Sequence, residues 1–283
     1  MLKIAIQKSG RLSEKSLELI KEAGISFNNG SRNLVSRASN FPVELLFLRD
    51  DDIPQYVTDN VADIGIVGEN VVLEKTCKVK IVEKLGFAKC KMSLAIPKSI
   101  EFTGSEFFDG KKIATSYPKI LSKYLKKNNI KAEIHEISGS VEIAPGIGLA
   151  DGIFDIVSSG STLISNRLKE VEVVLNSEAV MIANPQINEA KKQILDKLLF
   201  RINSVRTANK NKYILLNAPN KNLEAIINVI PGMKSPTIMP LAEEGWSSVH
   251  SVLSEKEFWE VIDQLKELGA QGILVIPIEK MIV

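Results

Sequence analysis

Residues 155–162 read Asp-Ile-Val-Ser-Ser-Gly-Ser-Thr, and their types and order describe a place where an anion can be held. An apolar run, Ile153 to Val157, ends in Ser158, Ser159, Gly160, Ser161 and Thr162, after which Leu163, Ile164 and Leu168 indicate a helix. Glycine lets the backbone turn closely, the first amides of a helix have no partner within it, and the flanking hydroxyls add further donors. A phosphate fits such a turn. So does the plainer reading, a serine-rich helix cap. Asp155, inside the strand, would be costly beside a phosphate alone and suits a ligand that also brings sugar hydroxyls or a metal.

Other strand ends carry polar residues too. Lys8, Gly10 and Arg11 follow an alternating strand at Leu2, Ile4 and Ile6, at the position where open α/β sheets bind ligands. Arg11 suits a polyphosphate or a base, or simply a solvated loop. Arg49 and the acids Asp50, Asp51 and Asp52 follow an apolar run at Val43–Leu48. Such acids hold a metal through water, meet a purine edge, or enrich a helix start. Ser138 to Glu142 opens a helix, with Glu142 either reaching ribose hydroxyls or completing the cap. Thr115 and Ser116 precede Pro118 in the same way. Val61–Asn70 also echoes Ile153–Thr162, with Asp63 in the place of Asp155 and a glycine before each helix. Two lobes sharing a cleft would produce the echo. Glu69 would repel a phosphate, so the first lobe better suits a neutral ring and the hydroxyl-rich second lobe the phosphate.

The elements that must position these residues alternate between strand and helix through the first two thirds, which predicts an α/β fold with largely parallel sheets. Ser13 is a predicted helix cap and Gly24 a stop. The tail differs. Strands at Tyr213–Asn217, Thr237–Leu241, Val249–Leu253 and Ile273–Ile276, with helices at Asn222–Val229 and after Ser254, give a ferredoxin-like βαββαβ unit. Glu257 stands in capping-box position to Ser254. The polar stretch Val205–Asn211 reads as a linker.

A chain of 283 residues predicts two or three domains. A net charge of +2 gives no bulk electrostatic reason to expect nucleic acid or an anionic membrane, and no apolar run approaches a membrane span. The N-terminus lacks the pattern of a secretory leader. Two isolated cysteines, Cys77 and Cys90, suit a reducing cytoplasm, and with only His135 and His250 a zinc site or a Cys-His nucleophile is not expected.

Taken together, these motifs resemble a known family. Gln7-Lys-Ser-Gly-Arg-Leu12, Arg49-Asp-Asp-Asp-Ile-Pro54, Asp63-Ile-Gly-Ile-Val-Gly-Glu-Asn70, Ala114-Thr-Ser-Tyr-Pro118, Gly139-Ser-Val-Glu142, Gly148-Leu-Ala-Asp151 and Asp155-Ile-Val-Ser are similar to those of ATP phosphoribosyltransferase in its long form. Pro236-Thr-Ile, Phe258-Trp and Pro277-Ile-Glu-Lys-Met281 extend the likeness through the tail. The resemblance implies two lobes of the periplasmic-binding-protein type II class around a cleft, residues 1–90 with 177–207 and residues 91–176, followed by a regulatory domain at 208–283. It implies transfer of phosphoribose from phosphoribosyl pyrophosphate to the adenine ring of ATP, with magnesium, in the cytoplasm. By similarity, Asp155, Ser158, Ser159, Gly160, Ser161 and Thr162 bind phosphoribosyl pyrophosphate. Lys8, Gly10, Arg11, Arg49, Asp50, Glu69 and Asn70 line the ATP side. Asp155, Glu142, Asp151 and Arg11 form the catalytic set, and Pro236 and Thr237 the site of histidine as inhibitor, in a homo-oligomer that is a dimer or a hexamer. Ser159, Ser161 and Gly146 depart from residues common in the family. A two-lobed binding protein for a phosphorylated ligand and a non-catalytic regulatory relative are the alternative readings.

Overall fold

A computed structural model of the chain describes residues 1–27, 34–158, 160–230, 232 and 235–283. Elements follow in chain order: β1 (Leu2–Gln7), α1 (Arg11–Glu22), β2 (Val35–Arg37), β3 (Val43–Leu48), α2 (Ile53–Thr58), β4 (Ile64–Gly68), α3 (Glu69–Lys75), β5 (Lys80–Lys84), β6 (Cys90–Pro97), β7 (Lys112–Thr115), α4 (Pro118–Lys127) and β8 (Glu133–Glu136). Next come β9 (Gly152–Val157), α5 (Ser161–Ser165), β10 (Leu168–Ser177), β11 (Ala179–Ala183), α6 (Glu189–Asn209) and β12 (Asn211–Pro219). The chain ends with α7 (Leu223–Val229), β13 (Thr237–Pro240), β14 (Trp246–Ser254), α8 (Glu255–Glu267) and β15 (Gln271–Pro277).

Three sheets result, in the orders β2-β3-β1-β4-β11-β5, β10-β6-β9-β7-β8 and β13-β14-β12-β15. The first two form two lobes, and the chain passes between them twice, from β5 to β6 and from β10 back to β11. Each has a parallel centre: β3, β1 and β4 in the first lobe, β9, β7 and β8 in the second. The expectation of largely parallel sheets needs correcting. β11 enters antiparallel between β4 and β5, and β6 pairs antiparallel with both β10 and β9. The twice-crossed chain explains this: a strand arriving from the other lobe runs against the parallel set it joins. Two mixed sheets linked in this way are the periplasmic-binding-protein-like class.

Alternation along the strands builds the cores. On β9, Phe154 joins Met92, Leu94, Ile96 and Phe108 on one face, while Ile153 and Val157 join Val141, Ala144 and Leu163 on the other. Residue 155 shares the face of 153 and 157, because strand side chains repeat every second residue. That register aims Asp155 toward the side where Val141 and Leu163 lie.

By its contacts the chain divides into two compact units, Met1–Glu18 with Ser26–Leu195, and Leu19–Ile25 with Asp196–Val283. The division falls inside α6, a continuous helix of 21 residues. The linker expected at 205–211 is therefore the end of a helix followed at once by a strand. Ile202, Val205 and Ala208 are buried at intervals of three, while Asn203 and Asn209 are exposed. α1 begins at Arg11, so Ser13 is a buried first-turn residue instead of the cap, and Gly24 at φ +76° ends the turn as expected.

The tail has the ferredoxin-like order, all antiparallel, over a core of Ile214, Leu216, Ile226, Val249, Phe258 and Leu265. The capping box is formed: Glu257 N donates to Ser254 Oγ at 3.2 Å and Ser254 N to Glu257 Oε2 at 2.9 Å. Ser254→Ala should lower the melting midpoint by about 2–4 °C. Thermal unfolding by circular dichroism checks this, and an unchanged midpoint would show that α8 does not depend on its cap.

Candidate functional site

Three parallel strands end side by side in the first lobe. β1 lies between β3 and β4, with Gln7 beside Leu48 and Lys8 N donating to Leu48 O at 2.8 Å. The residues that follow, Lys8 to Arg11, Arg49 with Asp50, and Glu69 with Asn70, therefore share one sheet edge. Gly10 sits at φ +95°, a turn open to glycine, and releases the chain into α1. Lys8, Arg11 and Arg49 are all exposed at this edge. The structure thus brings together residues 41 and 58 positions apart in pairs that the sequence alone only lists.

The second lobe presents its own parallel strand ends in the same manner. Gly160, at φ +77°, turns the chain from β9 into α5. Asp155, Glu142, Ser158, Gly160, Ser161 and Thr162 line one cavity of about 260 Å³. Burial pushes the Asp155 carboxyl above the ordinary aspartate range; the Ile156 N–H pulls the other way, and the negative charge of Glu142 adds to the rise. Ile156 N lies 2.7 Å from Asp155 Oδ1. Two carboxylates with no cation among the described residues lining the cavity beside them form a site that favours a positive charge. Ser159 lies outside the described residues.

A second cavity, of about 410 Å³, runs along the chain crossings and is lined by residues of both lobes. Glu69 from the first lobe and Ser158 from the second face it, with Lys84, Lys89 and Lys91. Val157 and Ser158 border both cavities. Sequence reasoning missed the three lysines; for two of them the signal was the alternation Lys89-Cys-Lys91 at the start of β6, a strand that pairs with β9 just before the serine loop. Lys84 and Lys91 are tied to Glu69 at 3.0 Å and to Glu170 at 2.7 Å, respectively.

Four expectations change. Glu69 is neutralised by Lys84, so it does not repel an anion as a bare charge would. Asn70 is buried and engaged: its N–H donates to Ser177 Oγ and its Oδ1 accepts from that hydroxyl, both at 3.0 Å. Its side chain serves the contact between lobes and does not line either cavity. Asp151 precedes the other end of β9, about 20 Å along the strand from Ser158. There it accepts from Lys112 N at 2.8 Å and lies 3.8 Å from Lys111 Nζ, so it leaves the catalytic set. Asp63, the echo of Asp155, is 6% exposed and held by Lys191 Nζ and Lys3 N at 2.7 and 2.8 Å. The echo is one of backbone, strand to glycine to helix, and not of chemistry.

Residues 49–204 match the ATP phosphoribosyltransferase family, and residues 208–280 match the HisG C-terminal domain. The chain belongs to the ATP phosphoribosyltransferase family. It has the long form, with the C-terminal domain present. The ATP phosphoribosyltransferase of Cytophaga hutchinsonii is 64% identical over 282 residues, covering 100% of this chain and 99% of that one. That of Bacteroides thetaiotaomicron is 62% identical over 283 residues, with both chains covered in full. Among solved structures, the ATP phosphoribosyl transferase (HisG:HisZ) complex from Thermotoga maritima superposes with a TM-score of 0.61 at 31% identity. It covers 72% of this chain and 99% of its own. In this phosphoribosyltransferase the two lobes carry the polar strand ends, and the tail adds the third sheet.

Proposed function

We propose that this ATP phosphoribosyltransferase holds phosphoribosyl pyrophosphate against Ser158–Thr162, at the cavity that Asp155 and Glu142 line, and ATP against Lys8, Gly10, Arg11, Arg49 and Asp50 at the strand ends of the first lobe. The observation that carries this reading is the single cavity in which Asp155 and Glu142 stand beside Ser158, Gly160, Ser161 and Thr162, carboxylates for a sugar next to hydroxyls for its phosphate. Loss of pyrophosphate from the ribose carbon builds oxocarbenium-like positive charge on the sugar. Asp155 and Glu142 oppose that charge, in a site already arranged before reaction. The adenine nitrogen brings its own lone pair, so positioning by Arg11, Arg49 and the loop hydroxyls does the larger share. Lys84, Lys89 and Lys91 suit the phosphates that reach the crossings.

The residues fit magnesium. Among the described residues no group of three or more metal-binding side chains converges, whereas Asp155 and Glu142 line one cavity together. Magnesium keeps several waters and takes one or two carboxylates along with substrate phosphates, which this pair can supply. Bound there, the ion would neutralise the departing pyrophosphate.

The tail would carry feedback by histidine. Pro236 precedes β13, and Thr237 on it pairs with His250, whose ring contacts Tyr213 Oη at 2.7 Å and Ser248 Oγ at 3.0 Å. β13 is an exposed edge strand, open to a second copy, which suits a dimer or hexamer built through this domain. Regulation of this kind belongs to a cytoplasmic biosynthetic enzyme. No helix among the described residues is long and apolar enough to cross a membrane.

Pyrophosphate release from ATP and phosphoribosyl pyrophosphate tests the division of substrates. Substrate binding without release would favour a binding protein or a non-catalytic relative. Added histidine should slow the wild-type enzyme and act less on Thr237→Trp; equal inhibition of both would move the inhibitor elsewhere.

A further inference from the structure

The helix α4 of the second lobe begins without a cap of its own. Tyr117 stands at its N-cap with no capping side chain, and Pro118 supplies the first turn. The amides of Lys119 and Ile120, where a capping side chain would normally bond, point instead at the first lobe. Lys119 N donates to Glu74 Oε1 at 2.9 Å and Ile120 N to Glu74 Oε2 at 3.0 Å. Glu74 lies on α3 and is 8% exposed. One carboxylate thus satisfies both amides, on the end of the helix dipole that attracts negative charge.

Glu74 does not act by itself. Asn70, Leu73 and Glu74 are spaced i, i+3, i+4 and form one face of α3. Asn70 bonds Ser177 at the return crossing and reaches Tyr117; Leu73 packs on the apolar core of the second lobe. Lys119 returns the contact, its Nζ lying 3.3 Å from Thr76 Oγ1. Tyr117, immediately before α4, feels the charges of Asp155, Asp51 and Asp50, and burial foremost raises its phenol above the ordinary range. It stands between the carboxylates of the second lobe and the acid run of the first.

We propose that Glu74 is a positioning residue, which caps α4 from the opposite lobe and thereby holds the Thr115–Tyr117 turn in the cleft. The proposal rests on the phosphoribosyltransferase reading of that cleft. Separating the lobes along this face would leave the Lys119 and Ile120 amides without their carboxylate acceptor.

The test compares Glu74→Gln and Glu74→Ala in the full-length enzyme. Gln keeps one acceptor and Ala none, so kcat/KM should fall about threefold and about tenfold, the graded loss of a misplaced contact. Amide hydrogen exchange at Lys119 and Ile120 should quicken in the same order. Wild-type turnover of ATP and phosphoribosyl pyrophosphate tests the underlying reading separately. If wild type turns over and both variants match it within twofold when folded, Glu74 only adds stability and the proposal fails. Exchange at the two amides unchanged in Glu74→Ala would also overturn it, whatever the turnover.

Discussion

Replacing Asp155 by Asn should cut turnover by about two to three orders of magnitude while leaving the fold at least as stable as wild type. Both halves follow from the same environment. The carboxylate lies in a cavity with Glu142, half removed from water, and no cation among the described residues is tied to it; its pKa is raised by burial first. A carboxyl whose folded pKa is raised is destabilising when ionised: the unfolded chain gives up its proton first, and stability falls as pH climbs through that interval. Asn cannot ionise, so it escapes this cost at neutral pH. The melting midpoint of Asp155→Asn should therefore exceed wild type near pH 7, and the difference should vanish below about pH 4, where the carboxyl is protonated in both states. Calorimetry across that range, beside pyrophosphate release, measures both. A variant that keeps wild-type turnover would remove Asp155 from the reaction; one that loses turnover by melting would make its role structural.

Local patterns explain how much of the fold was legible. β1, β3, β7 and β9 announce themselves by apolar runs that stop at polar residues, and Ser254 with Glu257 marks the start of α8. What escaped depends on partners far along the chain. β11, Ala-Val-Met-Ile-Ala, reads as a buried strand, but nothing in it says that it enters between β4 and β5 against their direction. The polar residues of 205–211 suggested a linker because their buried partners, spaced by three, belong to a helix that started 16 residues before Val205.

The site divides in the same way. Residues at strand ends were found where the sequence placed them, since the end of a parallel strand is a local property that motif spacing records. Their states were not. Glu69 carries a compensating lysine 15 residues on, Asn70 a hydroxyl 107 residues on, and Glu74 the amides of a helix in the other lobe. Whether a carboxylate is free to meet a ligand is settled by such long-range partners, so Asp63, Asp151 and Asp155 look equivalent in sequence and are not in space.

Asp63 provides the sharpest contrast, and Lys191→Met is the change that exposes it. Asp63 immediately precedes β4, at the end away from Glu69, where its N–H and C=O bond Lys3 O and Asn184 N, both at 3.0 Å. Its carboxylate takes Lys3 N and the Lys191 ammonium. Removing the ammonium leaves a buried negative charge with a single backbone donor. Breaking such a pair commonly costs 3–5 kcal/mol, but the Lys191 side chain is 32% exposed and water can follow it, so about 2 kcal/mol is expected. For a chain of this size that is a midpoint lower by about 4–8 °C. Asp63→Asn should cost less, because the amide oxygen still accepts from Lys3 N and the freed ammonium can turn to solvent. The double variant should then recover part of the loss, since no unpaired charge remains. Turnover of folded protein should stay near wild type throughout, because the network lies at the far end of β4 from the cleft. If Lys191→Met melts with wild type, water already serves the carboxylate and the pair is not what fixes β4. If it melts early, two aspartates that share a motif differ in kind: one holds the sheet together, and the other gives up stability so that a charge stands ready for the sugar.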